Sequence, residues 1–157
     1  MNSLNLSIET LSDTAFWVAA CRSSREDISL DVYAKYSVTK DGFKKHQKYI
    51  SQVGPNENEC VSLRFRYALD TVRDWVGNGE GNVVVNFAAG VSSLSALLPA
   101  STLCIEVDQK SVVDRKREFY NNLQRTNIVL EDINLNNHAC GYLFRSPAGT
   151  LSPTRRI

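Results

Sequence analysis

Hydrophobic residues follow a helical period through the first half of the chain. The clearest case is residues 57–76, where apolar side chains recur every three or four positions and so share one face of a helix. These side chains are Val61, Phe65, Ala68, Leu69, Val72 and Val76. Gly77 follows directly, and a glycine in the left-handed conformation is a common way for a helix to end. The pattern therefore predicts a long amphipathic helix that ends at Gly77.

Shorter helices are predicted before this one. Ser12 and Asp13 are suitable N-cap residues for a helix whose residues 14–21 are apolar on all sides, which is typical of a buried helix. A polar exit from that helix is expected at residues 22–27. Two further helices are expected at residues 31–36 and, rich in lysine, at residues 42–51. The strongest break in the chain is the Gly- and Pro-containing stretch at residues 53–58.

The period changes after Gly81. Residues 82–89 form a continuous apolar run rich in valine, which is typical of a strand covered on both faces in a parallel sheet. A helix rich in Ser, Leu and Ala is expected at residues 90–98, and two further strands are expected at residues 102–107 and 127–131. This alternation predicts an α/β fold with a partial Rossmann-like parallel sheet of three strands and right-handed crossovers.

The helix between the second and third strands is predicted to begin after Asp108, which can cap it. We expect its buried face to consist of Val112, Val113, Phe119, Tyr120 and Leu123. Its outer face is expected to carry Asp114, Arg115 and Arg117. The chain then divides into an N-terminal helical region at 1–81, a partial Rossmann-like cofactor-binding half at 82–144 and a flexible tail at 145–157.

Composition narrows the functional classes only slightly. The chain has 157 residues, with 18 Lys+Arg against 17 Asp+Glu and 43% hydrophobic residues, which is typical of a globular domain and not of a disordered chain. A net charge of +1 gives no reason to expect a nucleic acid or a membrane as a partner. No secretory signal is visible at the N-terminus, so we expect a cytoplasmic protein.

Four cysteines occur without the C-x-x-C spacing of a zinc or redox site, and there are two histidines, so no metal site is expected. We interpret the cysteines as buried free thiols. They are Cys21, Cys60, Cys104 and Cys140.

Candidate binding residues lie where the predicted strands end. Gly90 closes the turn after the first strand, and Glu106 ends the second strand, where a carboxylate can accept hydrogen bonds from both ribose hydroxyls. Asp132 follows the third strand and could meet an adenine amino group. The G-x-G-x-x-G pattern of pyrophosphate binders is absent, which favours S-adenosyl-L-methionine, a cofactor without phosphate, over NAD or FAD. The structural alternative is tight packing at Ala88 and Ala89, with the acidic residues acting as ordinary caps.

Residues 105–116 (IEVDQKSVVDRK) are similar to the E-V-D-x-P-x-V-x-x-x-K stretch of the leucine carboxyl methyltransferase family. These proteins are class I S-adenosylmethionine-dependent O-methyltransferases. Five other segments resemble the family in the same order: residues 14–22 its T-A-x-x-x-A-x-x-R, residues 31–34 its D-P-x-A, residues 64–70 its R-x-R-x-x-D with one extra residue, residues 83–90 its V-V-x-L-G-A-G, and residues 131–134 its D-L-R.

The resemblance implies a role for each matching residue. Ala88, Ala89 and Gly90 would face the methionine part of the cofactor. Glu106 would hold the ribose, and Asp132 with Ile133 would border the adenine. Arg66 or Arg64 would pair with the cofactor carboxylate, which a guanidinium group can bind through two hydrogen bonds. The structural alternative for these arginines is a solvated helix face, with Asp70 four residues after Arg66. The chain departs from the family at Ala88, which replaces the first motif glycine, and at residues 92–94, which are Ser-Ser-Leu where the family has D-T-R.

Two functions from different classes are compatible with these residues. The first is an S-adenosylmethionine-dependent methyltransferase that acts on a carboxylate or hydroxyl, or the cofactor-binding half of one. The second is a truncated, non-catalytic methyltransferase-like module that binds a partner; an α/β domain without a small ligand is a third. The family's strands four to seven, which supply much of the acceptor site, would follow the last residue, Ile157. No catalytic residue is nominated, and a homo- or hetero-oligomer is expected to cover the open edge of the first strand.

Overall fold

The computed structural model describes residues 11–54, 56–77 and 81–133. The described elements are α1 (Leu11–Ser24), α2 (Glu26–Ser29), α3 (Ala34–Ser37), α4 (Lys40–Val53), α5 (Asn56–Val76), β1 (Val83–Phe87), a 3-10 helix (Leu94–Leu97), β2 (Leu103–Asp108), α6 (Lys110–Asn122) and β3 (Ile128–Asp132). The predicted tail at 145–157, the end of the predicted cofactor-binding half at 134–144 and Cys140 lie outside the described residues.

The three strands form one parallel sheet in the order β1-β2-β3. Val85 of β1 pairs with Ile105 of β2, which in turn pairs with Val129 of β3. Each strand lies in or within one residue of its predicted segment, because short valine- and isoleucine-rich runs between turns favour parallel strands. The α/β class and the parallel three-stranded sheet are confirmed.

α5 confirms the long amphipathic helix. Val61, Leu69 and Val76 are buried, and Gly77 ends the helix with a φ of +48°. Ala68 is exposed, contrary to prediction, because it lies at the margin of the apolar stripe, away from the direction in which Leu69 points.

The core lies between one face of the sheet, α5, α6 and the 3-10 helix. Its buried members are Leu69, Leu94, Ala96, Leu98, Cys104, Tyr120 and Ile128. α1 lies beside this core and contacts α3, α4 and α5. The N-terminal helices are therefore one packed group next to the carboxyl ends of the strands, where their residues can form walls of a site.

The prediction that β1 is covered on both faces is wrong. Val83 is 53% exposed and Val85 is 46% exposed, whereas Cys104 on the opposite face of the sheet is fully buried. The apolar residues of β1 alternate in exposure because the described helices that cover the sheet core lie against one face. A valine-rich run does not by itself distinguish a strand covered on one face from a strand covered on two.

The predicted helix at 90–98 is reduced to the 3-10 turn at Leu94–Leu97. Ser92 competes with helix formation here, since its hydroxyl accepts a hydrogen bond from the Leu94 amide. Asp108 does not cap α6: the N-cap is Gln109, and Asp108 bonds to the turn after β1 instead. Ser12 and Asp13 lie inside α1 and are not its N-caps.

Two charged side chains are buried at positions where no burial was predicted. Arg22, expected in a polar exit, is 3% exposed, and Lys116, expected on neither face of α6, is 4% exposed. On α6, Val112, Val113 and Tyr120 are buried as predicted. Phe119 and Leu123 are half-buried; on the outer face Asp114 and Arg115 are exposed, and Arg117 is intermediate.

Among the cysteines, Cys21 and Cys104 are buried free thiols as predicted, but Cys60 is exposed. Cys60 belongs to the outer side of α5, since the core side of that helix is the one marked by Leu69. Among the described helices, none combines the length and the apolar character needed to cross a membrane.

Candidate functional site

A cavity of about 530 Å³ opens where the strands end, between the sheet and α1. Its walls are Thr14, Ala15, Val18 and Arg22 of α1, the turn residues Ala88, Ala89, Gly90, Val91 and Ser92, and Asp108, Gln109, Val112 and Ile133. Four of the residues predicted to bind a cofactor, Ala88, Ala89, Gly90 and Ile133, therefore lie on one cavity. This is the edge of a parallel sheet at which ligands bind in α/β proteins.

The turn after β1 has a glycine-like backbone at two positions. Gly90 has a φ of +53°, and Ala88 has a φ of +50°, a region that costs a residue with a Cβ roughly 1–2 kcal/mol. A Cβ added to Gly90 would lie 3.6 Å from the Cβ of Ala15, so the turn also approaches α1 closely. Ala88 thus occupies a position whose backbone suits glycine, and its methyl group is held beside the cavity.

Asp108 fixes this turn to the end of β2. Its Oδ2 accepts a hydrogen bond from the Gly90 amide at 2.7 Å, and its Oδ1 accepts one from the Gln109 amide at 2.7 Å. The side chain is only partly buried and lines the cavity. A carboxylate held by two amides at a strand end retains lone pairs that can accept from ligand hydroxyls. From the sequence, Asp108 was expected only to cap the helix that follows β2.

Glu106 is not on the walls of this cavity. It is 1% exposed, and its Oε1 accepts hydrogen bonds from Ser95 Oγ at 2.7 Å and Tyr120 OH at 2.9 Å. Its Oε2 lies 2.6 Å from Lys116 Nζ. The side chain points into the core between β2 and α6, so in this structure its acceptors are directed at protein groups and not at a ribose.

Burial governs the titration of the groups around Glu106. Burial lowers the pKa of Lys116, and the adjacent Glu106 carboxylate acts against that shift. Burial, and then the negative charge of Glu106, raise the pKa of Tyr120. The Tyr120 hydroxyl therefore stays protonated and donates to Glu106 over the ordinary pH range. The network joins β2 to α6 just below the strand end that carries Asp108.

Arg66 and Arg64 do not line this cavity. Arg66 Nε lies 2.6 Å from Asp70 Oδ2 on the same helix, in a pair that is partly exposed. Arg64 is exposed on α5. The arginine on the cavity wall is Arg22, which lies in the segment 14–22 that resembles the family and for which no role was predicted.

Arg22 is held by three contacts. Its Nε lies 2.8 Å from Asp31 Oδ2, its Nη2 donates to the Val91 carbonyl at 3.3 Å, and its guanidinium lies 4.8 Å from the centre of the Phe65 ring. Ser93 Oγ also donates to Asp31. These contacts tie α1 to the segment after the Gly90 turn and fix a guanidinium at the cavity wall.

The third strand contributes one wall residue and one acidic neighbour. Ile133 lines the cavity, and its amide donates to the Asp108 carbonyl at 2.9 Å. Asp132 pairs in register with Asp108 but is exposed and is not on the wall. The edge of the sheet therefore places an apolar side chain and a carboxylate side by side, with the carboxylate outside the cavity.

A wider groove of about 1080 Å³ runs between α6 and the N-terminal helices. It shares Ala15, Val91, Ser92 and Val112 with the smaller cavity, so the two adjoin. Four aromatic rings line it: Phe16, Tyr33, Tyr36 and Phe119. A second molecule that enters this groove would reach the smaller cavity from the side of α1.

The sequence matches no protein-family model and no curated protein. The chemistry of the site therefore rests on its own geometry: a carboxylate at a strand end, a turn with left-handed backbone, a fixed guanidinium and an apolar wall.

Proposed function

We propose that this chain binds S-adenosyl-L-methionine in the cavity at the strand ends and forms the cofactor-binding half of an O-methyltransferase. The observation that carries the proposal is the Asp108 carboxylate, bonded to the Gly90 amide and open to the cavity. A volume of about 530 Å³ lies within the range of roughly 300–1,000 Å³ that is usual for small-molecule sites. The absence of a glycine-rich phosphate loop favours a nucleoside without phosphate.

Each part of that cofactor has a partner of fitting chemistry on the wall. Asp108 accepts hydrogen bonds from the two ribose hydroxyls, a role that was expected for Glu106 from the sequence. Ile133 packs on the adenine face. Arg22 pairs with the carboxylate of the methionine part, in place of Arg66, because a guanidinium favours a carboxylate in a partly dry site. The turn at Ala88–Gly90 lies beside the sulfur-bearing part.

The cofactor supplies an electrophilic methyl group on a sulfonium sulfur. The residues of this chain orient it: Asp108 and Arg22 hold its two polar ends, and the apolar wall at Val18 and Val112 excludes water. A carboxylate acceptor is already a nucleophile at neutral pH, so this half needs no general base for such a substrate. The adjoining aromatic groove gives the acceptor a path to the cavity.

The second candidate is a non-catalytic binding module. The observation that favours it is the exposure of Val83 and Val85 on β1, the last strand of the described sheet on that side. An edge strand with exposed apolar side chains favours a partner that covers those side chains and the open backbone of the strand. In that case cofactor binding, if retained, serves association and not turnover.

Calorimetric titration of the purified chain with S-adenosylmethionine, S-adenosylhomocysteine and NAD tests the proposal. We expect heat with the first two ligands and none with NAD. Incubation of the loaded protein with carboxylate and phenol acceptors then separates the two functions: methylated product supports the methyltransferase, and binding without product supports the module. Binding of NAD alone would contradict the assignment of the cavity.

A further inference from the structure

The outer side of α5 carries an unusual set of exposed apolar side chains. Trp75 is 79% exposed, Tyr67 is 77% exposed and Leu63 is 56% exposed. Cys60 is exposed on the side opposite the buried Leu69, and Ala68 is exposed at the border between the two sides. We call these five residues, with the two charges described next, the α5 stripe. Exposed tryptophan and tyrosine side chains on one helix are typical of the energetic centre of a protein interface.

Two opposite charges lie within the α5 stripe, one on each side of Tyr67 and Ala68. Arg64 lies towards its N-terminal end and Asp74 towards its C-terminal end, and both are exposed. Neither forms an ion pair with another of the described side chains. Within the described part of the chain, the stripe therefore offers a cation and an anion without ion-pair partners beside its aromatic residues.

The positions of these residues are symmetric about Leu69. Arg64 lies as many residues before Leu69 as Asp74 lies after it, and the same holds for Leu63 and Trp75. Because each residue advances a helix by the same ~1.5 Å, two α5 helices packed antiparallel about this midpoint bring Arg64 level with Asp74 of the other copy. The same packing brings Leu63 level with Trp75, and Tyr67 level with Thr71, of the other copy.

We propose that the α5 stripe is a homodimer interface, in which a second copy of this chain packs its own α5 antiparallel against the first. A two-fold interface must be complementary to itself, and this stripe meets that condition in charge as well as in apolar character. Arg64 also comes within reach of the Trp75 ring of the second copy, where a guanidinium is attracted to the indole face. This inference does not depend on the proposed cofactor.

Charge reversal provides the test. The full-length chain is studied by analytical ultracentrifugation, which measures the mass of the particle in solution over a series of protein concentrations. The proteins compared are the parent, R64D, D74R and the double variant R64D/D74R. We expect a dimer for the parent and a rise of at least about tenfold in the dissociation constant for each single reversal, because each brings two pairs of like charges level with one another. The double variant restores opposite charges and should dimerise as the parent does.

Tyr67→Ala, compared with Tyr36→Ala, separates the stripe from other exposed aromatic residues. Tyr36 is 67% exposed on α3, away from the stripe, so its loss should leave the dimer unchanged, whereas loss of Tyr67 should weaken it. Circular dichroism shows whether each variant is folded, and recovery in the double reversal excludes misfolding as the cause. A monomeric parent, or a dimer that none of the α5 substitutions weakens, would overturn the proposal.

Discussion

Lys116 Nζ lies 2.6 Å from Glu106 Oε2, and both side chains are almost fully buried between β2 and α6. The pair sits within one network with Tyr120 and Ser95, both of which donate to Glu106. Burial of two charges is costly, and their close contact together with these hydrogen bonds offsets that cost. The pair positions the end of β2, and with it Asp108, against the first turn of α6.

Replacement of Glu106 by glutamine should destabilise the protein strongly. Lys116 would remain buried beside a neutral amide, and loss of one partner of a buried ion pair costs about 3–5 kcal/mol. The free energy of unfolding from urea titration measures the effect. Glu131→Gln is the matched control, because Glu131 is exposed on β3 and its change should stay within about 0.5 kcal/mol.

The double variant Glu106→Gln/Lys116→Met tests the same pair by rescue. Removal of the buried ammonium should recover part of the stability lost in Glu106→Gln, since no unpaired charge then remains in the core. A Glu106→Gln variant as stable as the Glu131→Gln control would show that the ion pair does not hold β2 to α6.

Sequence patterns predicted the elements better than the environments of charged residues. The helical period of α5 and the three valine- and isoleucine-rich strands are properties of contiguous residues, so they could be read directly. The burial of Lys116 could not be predicted in this way, because its neighbours in sequence are Arg115 and Arg117. Its burial depends on Glu106 across the β2–α6 contact. Long-range pairing of this kind leaves no periodic signal.

Four of the residues predicted to bind a cofactor line the cavity, whereas Arg66, Glu106 and Asp132 do not. The turn at Ala88–Gly90 and Ile133 follow from the rule that strand ends share one edge. Glu106 and Asp108 lie two residues apart on the same face of β2, and only the exact end of the strand decides which one reaches the cavity. The role of Arg22 depended on the packing of α1 against the turn, which no local pattern predicts.

The backbone of the turn after β1 predicts opposite effects for two substitutions. Gly90→Ala should lower the free energy of unfolding by about 1–2 kcal/mol, because a Cβ is strained at a φ of +53°. Ala88→Gly removes the same strain at a φ of +50° and should raise stability by up to about 1 kcal/mol after the entropy gained by the unfolded chain is subtracted.

Ala100→Gly is the control for this pair, because Ala100 is exposed and is not among the residues with positive φ. There the glycine should only destabilise, by about 0.5–1 kcal/mol. Thermal or urea unfolding of the three variants provides the comparison. A loss of stability in Ala88→Gly equal to that in Ala100→Gly would contradict the left-handed turn.

Burial of Cys21 predicts a loss of stability at alkaline pH. Burial raises the pKa of the Cys21 thiol from 9.0 to about 12, so the unfolded chain releases that proton first as pH rises. Between these values the unfolded state binds fewer protons than the native state, and the free energy of unfolding falls by up to about 1.4 kcal/mol per pH unit for this group. Below about pH 9 the contribution is fully present.

The free energy of unfolding, measured from pH 8 to pH 11, shows whether stability changes with pH in the predicted direction. Burial also raises the pKa of Cys104, which adds a slope of the same sign. Cys21→Ala should therefore reduce the slope without abolishing it. Burial lowers the pKa of Lys116, which adds a slope of the opposite sign, so the comparison of Cys21→Ala with the parent isolates the thiol. A Cys21→Ala variant whose slope equals that of the parent would contradict the burial of Cys21.

The measurement that most directly tests the proposed cofactor site is the affinity of the Asp108→Asn variant for S-adenosylmethionine, with Asp132→Asn as its control. Both residues end neighbouring strands, but only Asp108 lines the cavity. We predict that Asp108→Asn raises the dissociation constant at least about tenfold, which is the effect expected from the loss of one charge-assisted hydrogen bond. Asp132→Asn should change the dissociation constant less than about threefold. No binding by the parent chain at millimolar cofactor, or equal affinities for the parent and Asp108→Asn, would contradict the account.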